Sequence, residues 1–193
     1  MSHKILITKH IYPEAVDYLR QRTEIEYHDS DESCAPEELL ARMSDKGAAL
    51  SQLTDKFSAQ VMDQLPNLKV ISNIAVGFDN IDIAAATGRK IVVTNTPDVL
   101  TGTTADFAFT LLMAAARRLV EADRYLRDGR WTQWRIDLLC GQDIHHATLG
   151  IFGMGRIGQT MARRALGFDM RVLYHDVARA DPAIEKELGL EYV

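Results

Sequence analysis

Short apolar runs alternate with amphipathic stretches through the first half of the chain. "KILIT" (4–8), "EIEYH" (24–28), "AALSQ" (48–52), "LKVISNI" (68–74) and "KIVVTN" (90–95) are brief and strand-like in content, and each predicts a strand. Helical patterns lie between them. "PEAVDYLRQR" (13–22) opens with Pro at a helix N1 position and sets Ala15, Val16 and Leu19 on one face. "APEELLARM" (35–43) follows, then "SAQVMDQL" (58–65) with Ser58 as N-cap, then "IDIAAATG" (81–88) closed by Gly88. Strands alternating with helices predict a parallel sheet in an α/β fold.

The rhythm then changes. From Thr103 to Asp128 a single long helical pattern is expected, with Phe107, Leu111, Ala114 and Ala115 on one stripe. Thr103 stands three residues before Asp106, a start like a capping box, and Gly129 falls at the C′ position. The segment after it, "WTQWRIDLLCGQDIHHA", is long and irregular, and loops of that length inside a compact domain are usually functional.

At Thr148 the alternation restarts. "TLGIF" predicts a strand, Gly155 to Leu166 a helix packing through Ile157, Met161, Ala165 and Leu166, and "MRVLYH" (170–175) a second strand. "DPAIEKELG" (181–189) predicts a helix and "LEYV" the start of another strand. Between the first strand and helix, Gly153, Gly155 and Gly158 spell G-x-G-x-x-G. The spelling alone is weak, but strand before and helix after give it the context of a dinucleotide-binding turn. Gly153 permits the tight turn, Gly155 leaves room for a pyrophosphate, and Gly158 lets helix and strand pack closely. The anion would then sit at a helix N-terminus, where unpaired N–H groups favour negative charge. Asp176 ends the second strand, where an acid accepts hydrogen bonds from ribose hydroxyls and disfavours an added phosphate. NAD is therefore the expected cofactor. NADP stays open, because Arg179 is close enough in sequence to meet a 2′-phosphate.

Composition narrows the class. The 193 residues are 47% hydrophobic and 25% charged, with a formal net charge of −5, values ordinary for a globular protein. An acidic chain lacks the footprint of a nucleic-acid binder. The longest apolar stretch, Ala105 to Ala116, contains Asp106 and is too short to span a bilayer. The two cysteines, Cys34 and Cys140, make no disulfide framework, and with no signal peptide in "MSHKILITKH" a cytoplasmic location is expected. Cys140, His145 and His146 fit no standard zinc spacing, so no metal is expected.

Four segments together carry a family resemblance: "NIAVGFDNID" (73–82), "TPDVLTGTTADFAFTLLMAAARR" (96–118), "GRWTQW" (129–134) and "TLGIFGMGRIG" (148–158). In content, order and spacing the chain resembles the D-isomer-specific 2-hydroxyacid dehydrogenases, most closely their glyoxylate/hydroxypyruvate reductase branch. The resemblance implies a flavodoxin-like substrate domain, residues 1–98, and then residues 99–193 as crossover helix, dimerisation loop and the first half of a Rossmann domain. It implies NAD(P)-dependent reduction of a small anionic 2-keto acid, and a homodimer. It places the substrate carboxylate on the backbone amides of Val76 and Gly77, with Leu53 on a second loop facing the substrate. Without it, "AVGFDN" would read as an ordinary strand-to-helix turn and Leu53 as core. Thr104 matches a residue near the nicotinamide, and Met154, Arg156 and Ile157 join the three glycines at the pyrophosphate. Trp134 matches a side chain that reaches a partner's site, though Trp131 and Trp134 fit equally well as interface anchors.

Two departures from the family pattern stand out. Asp169 occupies a position where the family usually has Gly, so Gly167 is expected to stop the helix instead. Phosphite dehydrogenases, close relatives, carry Lys at the position of Val76, and Val76 argues against that activity. The resemblance also assigns substrate binding and carbonyl polarisation to an Arg, proton transfer to a His and the tuning of that His to a Glu, all downstream of the second dinucleotide-domain strand. The expectation is that those residues lie beyond Val193, that the chain is the N-terminal portion of a longer enzyme, and that alone it is inactive and poorly stable. A dinucleotide-sensing protein of the corepressor kind is the alternative of a different class.

Overall fold

The computed structural model describes residues 4–193. Its elements run, in order, β1 (Lys4–Ile7), α1 (Pro13–Arg20), β2 (Glu24–Tyr27), α2 (Pro36–Met43), β3 (Ala48–Ser51), α3 (Ala59–Asp63), β4 (Val70–Asn73), α4 (Ile83–Gly88) and β5 (Val92–Thr94). Then come α5 (Thr101–Ala116), α6 (Leu119–Arg127), β6 (Thr148–Phe152), α7 (Arg156–Leu166), β7 (Arg171–His175), α8 (Pro182–Leu188) and β8 (Leu190–Tyr192). The chain divides into two compact units, Met1–Val99 and Leu100–Val193. No described helix is long and apolar enough to cross a membrane.

The first unit is a five-stranded parallel sheet in the order β2-β1-β3-β4-β5. This is the flavodoxin-like order, in which the chain reverses direction across the sheet between β1 and β3. Ligands of such sheets bind outside the carboxyl ends of the strands. One face is covered through Leu39, Met43, Phe57, Met62 and Ile71, and the other through Ile7, Ile11 and Val16. A sheet buried on both faces explains why its strands read as apolar runs.

Ser58 caps α3 as expected, accepting a hydrogen bond from the Val61 N–H, and Asp82 caps α4 in the same way through Ala85. The end of α4 differs from expectation. Gly88 is still helical, and the residue that turns left-handed is Lys90, at φ 60°.

The second unit carries a three-stranded parallel sheet in the order β6-β7-β8. That is one half of a doubly wound dinucleotide-binding sheet, whose full order is 3-2-1-4-5-6. Its core contains Phe109, Leu149, Ala162, Ala165, Val172, Tyr174 and Leu188.

The single helix expected over Thr103–Asp128 is two helices. Arg118 takes φ 52°, and α6 starts afresh after it. The reason is a long-range contact: the Ala116 carbonyl accepts from Gln142 N–H at 2.8 Å instead of from the next helical turn. Gly141 makes that approach possible, since a Cβ there would lie 2.3 Å from the Ala116 oxygen. Gly129 does end α6, at φ 67°.

The Thr103–Asp106 capping box is not formed. Thr103 already lies inside α5, which has no side-chain cap, and Asp106 is paired with Arg164 of α7 instead. The expected stripe is also the wrong face. Ala105 and Phe109 are the buried residues of α5, with Leu112 and Ala116 packed against the core, while Phe107 is 63% exposed and Leu111 is exposed as well. On α7 the buried residues are Gly158, Ala162 and Ala165, whereas Ile157 and Leu166 are exposed. Gly167 does stop α7, as its C-cap, but in a right-handed conformation; the left-handed residue that follows is Asp169, at φ 52°. Asp169 therefore stands where glycine is the unstrained choice.

Candidate functional site

The glycine turn has the geometry its spelling requires. Gly153 sits at φ 93°, a conformation that L side chains rarely adopt. Its N–H donates to the His175 carbonyl at 2.8 Å, which ties the end of β6 to β7. A Cβ on Gly158 would meet the Gly153 oxygen at 2.1 Å, so only glycine allows α7 to start this close to the turn. A Cβ on Gly155 would meet nothing within 4 Å, leaving open space over the turn. Gly155 is the N-cap of α7, and no side chain caps it. A helix start without a side-chain cap is an arrangement suited to an anion.

Asp176 is bound to this turn directly. Its Oδ2 accepts from the Met154 N–H at 2.6 Å. That bond, followed by those from Val177 and Ala178 N–H, holds the carboxyl below its ordinary pKa despite opposition from desolvation. Met154 is itself buried, so its role is to present its backbone. Arg156 opens α7, and Ile157 is exposed beside it. Arg179 makes a two-pronged pair with Glu185, at 2.8 and 2.9 Å. Glu185 also accepts from the Tyr174 hydroxyl, and its pKa is lowered, chiefly by Arg179.

In the first unit, two loops leave the carboxyl ends of β3 and β4. Leu53 is on the first and is 63% exposed, so it is not a core residue. Val76 and Gly77 are on the second. Their carbonyls are both engaged, Val76 O by Asn95 Nδ2 at 2.8 Å and Gly77 O by Asn73 Nδ2 at 3.1 Å. Among the described residues their N–H groups have no protein acceptor. A turn with its carbonyls tied back and successive N–H groups left over is a concavity for an anion.

A polar network beneath these loops goes unrecognised in the sequence. Asn80 Nδ2 donates to the Asp55 carbonyl at 2.9 Å and the Gln52 carbonyl at 3.2 Å, joining one loop to the other. Asn73, buried at the end of β4, accepts from Ser51 Oγ at 3.1 Å and donates to Asn80 Oδ1 at 3.2 Å. Asp55 Oδ2 accepts from Thr8 Oγ1 at 2.6 Å and from Gln52 N–H at 2.8 Å. Buried polar groups at strand ends fix loops because leaving any of them unpaired is costly. The available signal was Thr8, Ser51 and Asn73 closing three otherwise apolar strands.

Thr104 lies in the first turns of α5, exposed, with its N–H donating to Leu100 O at 2.8 Å. Trp134 is 76% exposed, and Trp131 lines a groove of the second unit with Tyr125, Leu126, Leu138 and Leu139.

Comparison with known proteins agrees with this geometry. Residues 5–185 match the family model of the D-isomer specific 2-hydroxyacid dehydrogenase, catalytic domain. The chain belongs to that family. A glyoxylate reductase of Korarchaeum cryptofilum (strain OPF8) is 47% identical over 194 residues, covering 100% of this chain and 58% of the relative. Among solved structures, the TT0316 protein from Thermus thermophilus is similar at 42% identity and TM-score 0.89, over 98% of this chain and 59% of that one. A putative D-isomer specific 2-hydroxyacid dehydrogenase, NAD-binding, from Polaromonas sp. JS6 66 is similar at 36% identity and TM-score 0.89, over 100% and 60%. The chain thus spans a little under two thirds of the length of each of these proteins.

Proposed function

We propose that the protein serves the reduction of a small 2-keto acid of the glyoxylate or hydroxypyruvate type, with NAD as its dinucleotide. The observation that carries this reading is the Gly153–Gly158 turn with Asp176 locked to its backbone. The relative named glyoxylate reductase and the neighbour described as NAD-binding support it. A bound nicotinamide dinucleotide would supply hydride transfer to the keto carbon. The amides that open α7 would hold its pyrophosphate, with Gly155 giving the clearance and Arg156 and Ile157 flanking it. Asp176 would accept from the adenosine ribose, and Thr104 would lie toward the nicotinamide end. On the first unit, the Val76 and Gly77 N–H groups would bind the substrate carboxylate, and Leu53 would shield it on an apolar side.

NAD over NADP follows from charge. Asp176 is held ionised by backbone donors, so a 2′-phosphate beside it would be repelled, and Arg179 is already neutralised by Glu185. In the same reading residues 1–98 form the substrate domain, and the chain pairs with a second copy of itself. The apolar side chains left exposed on α5, α6 and the following loop, Phe107, Leu111, Leu126, Trp131 and Trp134, are the covered face. Oxidation of NADH by the full-length enzyme, of which this chain is the N-terminal portion in this reading, on addition of glyoxylate or hydroxypyruvate tests the reading. Turnover with NADH and little with NADPH is expected; dinucleotide binding without turnover of any 2-keto acid would support a sensing protein instead.

A further inference from the structure

The first unit brings together three metal-ligating side chains that the proposed reaction does not use. His28 follows β2, Cys34 lies in the connection to α2, and Glu38 is in the first turn of α2. Among the described residues this is the one group of three His, Cys, Asp or Glu donors close enough to share an ion, and its ligand atoms all lie within 4.8 Å of one another. Cys34 Sγ and His28 Nδ1 are 3.0 Å apart. We propose that His28, Cys34 and Glu38 form a binding site for a divalent transition metal, with zinc as the ion that best suits the donors.

The chemistry of the set supports this. Imidazole, thiolate and carboxylate together select a borderline-soft ion and disfavour magnesium or calcium, which take oxygen ligands. Zinc bonds of roughly 2.0–2.3 Å in a tetrahedron put ligand atoms about 3.5 Å apart, so pairs near the 4.8 Å limit need to close by about an ångström and the Cys34–His28 pair to open by about half an ångström. Three protein ligands leave the fourth position to water. The carboxylate is already oriented, because Arg42 Nε donates to Glu38 Oε1 at 2.8 Å. Such outer partners are a regular part of metal sites. The His28 N–H on the backbone donates to Ile7 O at 2.9 Å, which fixes the residue to the end of β1.

A buried carboxylate lies on the other side of Thr8. Thr8 stands between the triad and Asp55. Its carbonyl is 3.2 Å from His28 Nδ1, and its hydroxyl donates to Asp55 Oδ2 at 2.6 Å. Asp55 is 3% exposed, and its Oδ1 has no hydrogen-bond partner among the described residues. The site would clip the connection between β2 and α2 to the sheet. It escapes motif reading because the spacing from His28 to Cys34 to Glu38 resembles no zinc-finger pattern.

Cobalt(II) titration of the protein tests the site, since cobalt adopts zinc geometry and reports its ligands by colour. One equivalent should bind with a thiolate-to-cobalt charge-transfer band and tetrahedral visible bands, both abolished by added zinc. Cys34→Ser should remove the charge-transfer band, and Cys140→Ser should leave it intact. Loss of an orienting partner alone weakens metal sites about 10–100-fold. Glu38→Gln, a nearly isosteric change at an exposed position, should therefore weaken binding at least tenfold without disturbing the fold. Saturating cobalt without a charge-transfer band, or a band that survives Cys34→Ser, would overturn the proposal. None of these readouts depends on the dinucleotide or on turnover.

Discussion

At the residue scale, the dinucleotide turn depends on two atoms being where they are: the missing Cβ of Gly158 and the Oδ2 of Asp176. Alanine at 158 would place a methyl 2.1 Å from the Gly153 oxygen, a backbone atom that cannot swing aside. Gly158→Ala should destabilise the protein by about 1–3 kcal/mol, as overpacking does, and should reduce NADH affinity; chemical denaturation and fluorescence titration measure the two. Asp176 gives a pH dependence with a definite sign. Its folded pKa is depressed, chiefly by the Met154 N–H. The stability it contributes is therefore complete above the unfolded value of about 3.9 and is lost as pH falls through the lower folded value. The Met154 amide resonance should hold steady from neutral pH down to about pH 5 and shift only below about 3.9. A midpoint above that, or the same titration in Asp176→Asn, would contradict the bond.

At the scale of elements, strands and most helices were legible because their apolar spacing follows from which faces the sheets bury. The parallel order of each sheet follows from the same alternation of strand and helix. What was not legible came from contacts between distant segments. The break between α5 and α6 falls at Arg117 and Arg118, both good helix formers, and nothing local marks it. It is set by Gly141 and Gln142 closing on the Ala116 carbonyl. The buried face of α5 is hidden in the sequence because the helix is apolar on more than one side, so its periodicity cannot choose between the Phe107–Leu111 face and the Ala105–Phe109 face. The site divides the same way. The glycine turn and Asp176 were visible as a local pattern, whereas Asn73, Asn80 and Asp55, which fix the Leu53 and Val76–Gly77 loops, meet only in the fold. The α5–α6 break makes its own prediction. Gly141→Ala puts a Cβ 2.3 Å from the Ala116 oxygen and should cost about 1–3 kcal/mol in a denaturation experiment. An unchanged midpoint would show that the loop is free to move away.

At the scale of the whole molecule, the candidate residues of each unit lie at the carboxyl ends of its strands, where doubly wound sheets bind ligands. In the proposed reading, the first would offer the Val76 and Gly77 amides to a carboxylate and the second the start of α7 to a pyrophosphate. The apolar side chains exposed on α5, α6 and the loop after them are more than scattered surface residues, and such patches mark interfaces. On the proposed pairing of two copies, Leu126→Asp should shift the protein from dimer to monomer in sedimentation, while a dimer unaltered by it would place the interface elsewhere.

The central claim is that a nicotinamide dinucleotide seats on the Gly153–Gly158 turn and that Asp176 selects its ribose. Parallel titrations of the full-length enzyme with NADH and NADPH, followed by nicotinamide fluorescence, test it most directly. Tighter binding of NADH, with the preference reduced in Asp176→Ala, is the predicted result. No binding of either dinucleotide, or a preference for NADPH, would contradict it.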